Sequence, residues 1–365
     1  MLEFKNKKNS SEIISGIGEH ESPILSENSM LIYDDNFNAL KNLLATKKEK
    51  VDLVYIDPPF NTNQIFAISD TRVSTISRTK NGTVAYSDKM GKDEFLAFMY
   101  DRFVLIHALL SPEGSLYVHI DSKMAHYFKI MLDEIFGDEN FKNDITRIKS
   151  NPKNFDRKAY GNLKDVILFY SKNYKRNIWN DVRIPLSAND NIEKKFPKID
   201  KNGRRYTTIP LHAPGQTNGV TGQQWRGMYP PEGRHWRTTP AEFDKLDEAG
   251  LIEWSKMGNP RIIRYADEHK GKKIQDIWEF KDPPYPLYPT EKNMEMISLI
   301  VKQSSSPDSY VLDCFAGSGT TLLAAIKNGR KFIGIDNSPI AIDVIKKRIA
   351  DYDYDYFDFI SKKDK

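Results

Sequence analysis

Residues 51–56, Val-Asp-Leu-Val-Tyr-Ile, form a run of strand formers that Pro58 and Pro59 end almost at once. So apolar a run reads as a strand buried on both faces of a parallel sheet. Parallel strands cannot be joined by hairpins; each needs a crossover of a dozen or more residues, usually a helix. The rest of the chain supplies that rhythm. Residues 30–33 read as a short strand, and Asp34-Asp35-Asn36 can cap a helix over 37–44. Residues 93–110 carry Phe95, Phe98, Met99, Phe103, Ile106 and Leu110 at helical spacing. Pro112-Glu113-Gly114 predicts a turn, 115–120 a strand, 122–136 a helix and 165–170 a strand. Towards the end, helices are expected over 291–304, 320–328 and 340–349, with strands over 310–314 and 331–335. Alternation at both ends predicts one doubly wound α/β domain. Residues 1–28 are polar and weakly patterned and read as a tail or loosely docked arm. Residues 61–90, rich in Ser, Thr, Asn and Gly, read as a long loop.

Between the two halves the rhythm stops. Residues 172–275 alternate short apolar pieces with proline, glycine and basic residues, which predicts an inserted second domain. The expected division is therefore 1–171, 172–275 and 276–365. Charge supports it. The whole chain has 54 Lys+Arg against 50 Asp+Glu, but the insert alone has 20 against 12 and the remainder 34 against 38. The insert also holds four of the five tryptophans, Trp179, Trp225, Trp236 and Trp254. A basic, aromatic insert on a near-neutral fold suits a polyanion. The single cysteine, Cys314, excludes a disulfide framework and a multi-cysteine zinc site, and the seven histidines show no metal-ligand spacing. No apolar run approaches the ~18 residues of a membrane span, and the start, MLEFKNKKNS, lacks an apolar signal core. A cytosolic protein without a metal centre is expected.

Residues 310–320, YVLDCFAGSGT, pass from an apolar strand through a glycine turn into a helix. Gly317 and Gly319 permit positive φ and close backbone approach to a ligand. Asp336 ends the next strand, at the distance from the turn where an acid can take ribose hydroxyls. Leu322 stands where a dinucleotide motif has its third glycine, and no Gly-Lys-Ser/Thr follows, so a nucleoside cofactor without pyrophosphate fits best. The competing reading is a tight turn that needs glycine for its own sake.

Asp57-Pro58-Pro59-Phe60 follows the strand 51–56 directly. Two prolines fix φ and remove two donors, leaving a stiff turn that presents a carboxylate, two carbonyls and an aromatic face. Such a turn suits a flat amino-substituted ring. Phe60 would stack on it while Asp57 and the Pro58 carbonyl accept the two N–H groups of the amine. That amine is a poor nucleophile because its lone pair is conjugated. Two acceptors hold it towards tetrahedral geometry and stabilise the charge that develops on attack, and positioning supplies much of the rest.

DPPF after one strand and FAGSGT after another resemble the amino-methylating DNA methyltransferases. The order of the two motifs, with a variable region between them, resembles the β group of that family, which includes type III modification subunits and many type II enzymes. Leu31–Asn36 resembles the family's adenosine-binding segment, with Asp34 in place of the usual glycine. Tyr288–Asn293 resembles the helix start that touches the methionine end of the cofactor. Cys314 replaces a proline common there. The resemblance implies a Rossmann-like methyltransferase sheet with circularly permuted motifs and a target recognition domain at 172–275. It implies S-adenosylmethionine as cofactor and transfer of its methyl group to N6 of a flipped adenine in double-stranded DNA. The implied catalytic residues are Asp57, Pro58, Pro59 and Phe60. The implied cofactor-binding residues are Asp35, Asp57, Lys292, Asp313, Phe315, Ala316, Gly317, Ser318, Gly319, Thr320, Asp336 and Asn337. A cognate restriction endonuclease, a homodimer and a bacterial cytoplasm, at the nucleoid, are the implied setting.

For the DNA contacts, Arg204, Arg205, Arg226, Arg234 and Arg237 are candidates for phosphates or base edges and Gln223 and Gln224 for base edges, with Trp225 and Trp236, interleaved among the basic residues, as further candidates. Arg72, Arg78 and Lys80 would close over DNA as a base flips out. The bland alternatives are a solvating basic surface and core tryptophans. Asp282-Pro-Pro-Tyr285 repeats the tetrapeptide, but it follows Trp278-Glu-Phe-Lys281 and not an apolar strand, so it reads as a connecting loop. N4-cytosine methylation is the close rival, although those enzymes mostly carry Ser where Asp57 stands. RNA or protein amide methylation, usually with Asn there, and a non-enzymatic DNA-binding subunit are further alternatives. Cytosine C5 chemistry needs a cysteine nucleophile, and Cys314 lies inside the cofactor strand.

Overall fold

Residues 51–56 lie near the middle of a nine-stranded sheet. The structure, a computed structural model, describes residues 1–15, 24–59, 65–69, 72–74, 83–87, 90–152, 156, 158–186, 191–284, 286, 288 and 291–361. The sheet's strands in chain order are β1 (Met30–Tyr33), β2 (Val51–Ile56), β3 (Leu110–Ile120), β4 (Phe141–Ile148), β5 (Lys164–Ser171), β6 (Ile277–Trp278), β7 (Tyr310–Asp313), β8 (Lys331–Asp336) and β9 (Asp355–Asp358). Across the sheet they run β6-β4-β5-β3-β2-β7-β8-β1-β9. β5 is antiparallel to both neighbours, and every other pair is parallel.

The helices of this unit are α1 (Ser10–Ser15), α2 (Asn36–Lys47), α3 (Lys92–Leu109), α4 (Ala125–Phe136), α5 (Met294–Ser304), α6 (Thr320–Lys327) and α7 (Pro339–Arg348). Local chemistry starts them. Asp35 accepts from the amides of Phe37 and Asn38, Asn293 from those of Glu295 and Met296, and Ser338 from Ala341 ahead of Pro339. One core joins strands to helices: Val54, Ile56, Val118, Leu312 and Ile333 are buried with Leu40, Phe103 and Phe128. Each such side chain contributes roughly 1.5–3 kcal/mol by leaving water. β2 and β7 are neighbours, yet the chain leaves β2 towards β3 on one side and β7 towards β8 on the other. Their carboxyl ends therefore flank a topological switch point, where α/β sheets bind ligands.

Several expectations are corrected. The turn at Pro112–Gly114 lies inside β3, where a register shift against Val51–Leu53 absorbs it. The N-terminal arm docks: Ile13 and Ile24 are buried, and Lys7 and Lys8 reach Glu134 and Asp101 at 2.7 and 2.9 Å. The long loop contains strands 65–69, 72–74 and 83–87 paired antiparallel. β4, β6 and β9 were not foreseen. β4 begins with exposed or half-buried Lys142, Asn143 and Asp144, and β9 is Asp-Tyr-Phe-Asp, so neither shows the apolar run that marks a buried strand.

The chain divides into two compact units, Met1–Val182 with Gln275–Lys365, and Arg183–Ile274. Residues 172–182 go with the first because their backbone is held there: Lys172 and Ile178 donate to Gly114 and Glu113, and Asn180 to Gln303. The second unit has a four-stranded sheet over 198–199, 205–210, 260–265 and 252–254, in that spatial order, and a helix over 240–248. Its core is Leu211, Trp225, Trp236, Phe243, Ile252 and Ile262.

Candidate active site

The carboxyl ends of β2, β7 and β8 open into a cavity of about 450 Å³ whose lining includes Asp57, Asp313 and Asp336, one acid from each strand end. Asp35, Asn36, Tyr55, Pro59, Phe98, Tyr288, Lys292, Phe315, Ala316, Gly317, Ser318, Thr320 and Asn337 complete much of the wall. All belong to the first unit.

The glycine turn is built from both sides. Asp313 accepts from the Phe315 amide at 3.0 Å, and Gly317 donates to Asp336 Oδ2 at 2.8 Å. Gly319 has φ +74°, and a Cβ there would lie 2.9 Å from Ile345, so glycine is required. Close helix–strand packing, for which a dinucleotide motif uses its third glycine, comes here from Gly334 on β8: a Cβ there would lie 2.4 Å from Leu322. Arg348 clamps the turn, with Nη1 2.8 Å from the Ser318 carbonyl and 2.9 Å from Glu291 Oε1. Asn36 ties the strand end to α2 by donating to the Cys314 carbonyl at 2.9 Å while accepting from Arg102 Nε at 2.7 Å.

Burial and the charges of Asp57 and Asp336 push the Asp313 carboxyl up to about 7, against hydrogen bonds from Thr321 and Phe315. Burial also raises Asp336, against the amides of Ser338, Gly317 and Asn337. Gly317 donates to Asp336 Oδ2 and Ser338 to its Oδ1, and the carboxylate's four lone pairs outnumber the three amides, which leaves acceptor capacity for an external hydroxyl. An acidic, nucleoside-sized cavity with ribose acceptors at one strand end fits a cationic nucleoside.

Asp57 stands at the end of β2. Its Oδ2 is 2.7 Å from Lys292 Nζ and its Oδ1 3.6 Å from His119 Nδ1. Pro58 is buried and Pro59 half-buried; Phe60 lies outside the described residues. Asp35 lines the cavity, and it also caps α2 and meets Arg102 at 3.4 Å. Asp282 does not line the cavity; it pairs with Arg147 at 2.5 Å. His119, Asp165 and Arg348 escaped the sequence reading, which placed Asn36 and Glu291 only within the segments 31–36 and 288–293 and gave them no role of their own. The one available signal was a histidine in the apolar strand Leu-Tyr-Val-His-Ile.

The second unit corrects part of the DNA-contact list. The indoles of Trp225 and Trp236 are core, 2% and 4% exposed, and donate to Asp244 and to the Gln223 carbonyl, so neither ring can stack on a base. Arg204 is held by Asp267 and Glu268, Arg205 by Glu193, and Arg226 by Asp244 and Asp247. Gln223, Gln224, Arg234 and Arg237 are exposed, with Arg234 3.3 Å from His212 Nδ1 and Arg237 donating to the Pro210 carbonyl. Arg72 lies on strand 72–74, of which the backbone alone is described, and Arg78 and Lys80 lie outside the described residues.

Comparison with known proteins follows the same motifs. Residues 51–347 match the family model described as DNA methylase, the N6/N4 methyltransferases. The chain is 42% identical over 338 residues to the type II methyltransferase M.EcaI of Enterobacter cloacae, covering 90% of this chain and 71% of that protein. It is 25% identical to the StyLTI Mod subunit, a type III restriction-modification enzyme of Salmonella typhimurium, over 84% of this chain and 51% of that subunit. The solved M1.HpyAVI–SAM complex aligns with 87% of this chain and 99% of its own at 18% identity and a TM-score of 0.44. Among the described residues no helix is long and apolar enough to cross a membrane.

Proposed function

The chain belongs to the N6/N4 DNA methylase family, whose methyl donor is S-adenosylmethionine, and we propose that within it this protein methylates N6 of adenine at a specific site in duplex DNA. The observation that carries the reading is one cavity shared by Asp57 at the end of β2 and the glycine turn after β7. The donor group supplies an electrophilic methyl on sulfur when bound. The chain's own residues do the rest. Asp336 takes the ribose hydroxyls, and Asp313, poised near neutrality, faces the cationic end. Asp57 and the Pro58 carbonyl accept the two amine N–H groups and hold the nitrogen lone pair out of conjugation. Asp57 would then accept the proton that the nitrogen sheds on taking that methyl. Phe60 stacks on the flipped base.

Adenine is favoured over cytosine by Asp57, since the N4-cytosine enzymes resembled here mostly carry Ser at that place. The Arg183–Ile274 unit, with its exposed Gln223, Gln224, Arg234 and Arg237, acts as the target reader. A cognate endonuclease and a homodimeric assembly complete the proposed setting. Incubation with DNA, nuclease digestion and nucleoside mass analysis test the reading: N6-methyladenine is expected, and N4-methylcytosine as the sole product would overturn it. Asp57→Ala is expected to abolish transfer while calorimetry still detects S-adenosylmethionine binding.

A further inference from the structure

A row of ionisable side chains crosses the sheet behind Asp57, one from each successive strand. Asp57 follows β2, His119 lies on β3, Asp165 on β5 and Arg147 on β4, and Asp282 follows β6. The register aligns them: Ile56 pairs with Val118, His119 with Ile167, and Asp165 with Arg147. His119 is fully buried. Its Nδ1 is 2.9 Å from Tyr55 Oη and 3.6 Å from Asp57 Oδ1, and its Nε2 is 3.4 Å from Asp165 Oδ2. Asp165 is anchored by Lys149 at 2.6 Å and Arg147 at 3.8 Å.

Resting on the methyltransferase reading above, we propose that His119 is a positioning residue for Asp57: it orients the inner carboxylate oxygen and steadies the proton that Asp57 gains when the methylated amine loses one. The network assigns the tautomer. Burial works against the Asp165 carboxylate, but hydrogen bonds from His119 and Lys149 and the Lys149 charge hold it well below the usual range, so it is an acceptor. Burial, together with the charge of Asp57, raises Tyr55 well above its ordinary value, so it keeps its proton and can donate. Burial, aided by Lys292, lowers His119 against the pull of Asp165 and Asp57, so the resting ring is neutral. Nε2–H then faces Asp165, and Nδ1 is an acceptor. Asp57 Oδ1 is buried with no hydrogen-bond donor in reach among the described residues. Two acceptors thus face each other at 3.6 Å, an arrangement that one proton converts from repulsive to attractive. As the N–CH₃ bond forms and the C–S electrons stay on sulfur, the amine proton moves to Asp57. A small approach of the two groups lets its O–H take the single Nδ1 lone pair, which the Tyr55 hydroxyl releases as it turns away. The charged groups acting on the ring are Asp57, Asp165 and Lys292, with Tyr55 on the same side as Asp57 and Arg147 behind Asp165.

The test compares His119→Asn, whose amide falls where Nδ1 was, with His119→Gln, whose amide falls where Nε2 was. In His119→Gln, kcat is expected to fall about tenfold or more, the scale of one hydrogen bond to a charged group. KM is unchanged, and the acid limb of the kcat–pH profile moves to lower pH because Asp57 binds its proton less tightly. His119→Asn recovers part of kcat. Independently of turnover, the imidazole ¹⁵N signal of His119 Nδ1, assigned by its loss in the Gln variant, shifts in Asp57→Asn. Wild-type kcat and an unmoved acid limb in His119→Gln, or an Nδ1 signal indifferent to Asp57→Asn, would overturn the proposal. A wild-type protein that methylates no DNA would instead sink the functional reading, and the ¹⁵N response still decides the coupling.

Discussion

Lys292 Nζ lies 2.7 Å from Asp57 Oδ2, with both side chains mostly buried, so the carboxylate proposed to receive the amine is paired with a cation on its outer oxygen. An adjacent cation favours the ionised carboxylate, and its removal leaves a buried charge uncompensated. Lys292→Met should therefore move the acid limb of the kcat–pH profile to higher pH, opposite to His119→Gln, and lower kcat by roughly ten- to a hundredfold, the cost of one such partner. Profiles of the two variants check the opposed signs. A shift in the same direction would show that the two groups do not act on opposite oxygens.

Asp313 makes a stability prediction. Its folded value is pushed up to about 7, above the ordinary carboxyl value of 3.8 that holds in an unfolded chain. Between those values the folded state binds the extra proton. Stability from this group is then full at low pH and falls as pH rises towards about 7. Asp313→Asn removes the penalty, so its melting temperature relative to wild type should rise between pH 5 and pH 8. Thermal melts across that range decide it, and a difference independent of pH would refute the assignment.

Much of this site is legible along the chain because it hangs on strand ends. A buried parallel strand must be apolar throughout, so Val51–Ile56 and Tyr310–Asp313 declare themselves, and the acid after each marks the crevice. His119, Asp165 and Arg147 are hidden because each is a lone polar residue whose partner sits on a strand distant in sequence and adjacent in the sheet. Trp225 and Trp236 misled for the opposite reason. Basic residues around them suggested a DNA-binding surface, whereas a small unit of this kind needs large rings for its core.

Arg348 joins two motifs that are separate in sequence, the glycine turn at Ser318 and the segment before α5 at Glu291. Its side chain is 13% exposed and that of Glu291 10%, so the pair is poorly screened by water. Arg348→Ala should weaken S-adenosylmethionine binding in calorimetry by about tenfold, since the turn loses its anchor, while leaving the second unit's melting unaffected. Glu291→Gln should retain the Ser318 contact and lose less.

The second unit separates fold from recognition. Trp225→Ala removes a core indole that packs on Phe243 with ring centroids 5.2 Å apart and donates to Asp244. It should cost roughly 3–5 kcal/mol and unfold the unit. Arg234→Ala and Arg237→Ala change exposed side chains and should leave the melting temperature within a degree or two of wild type, since surface changes cost about 0.5 kcal/mol or less. If these arginines meet phosphates, each replacement lowers the slope of log K against log salt by about 0.9 in DNA binding. Fluorescence anisotropy over a salt series measures that slope. An unchanged slope in both variants would move the DNA surface of this unit elsewhere. A reduced slope with unchanged specificity would assign them to the backbone and leave the base edges to Gln223 and Gln224, whose replacement should alter the methylated sequence instead of the salt dependence.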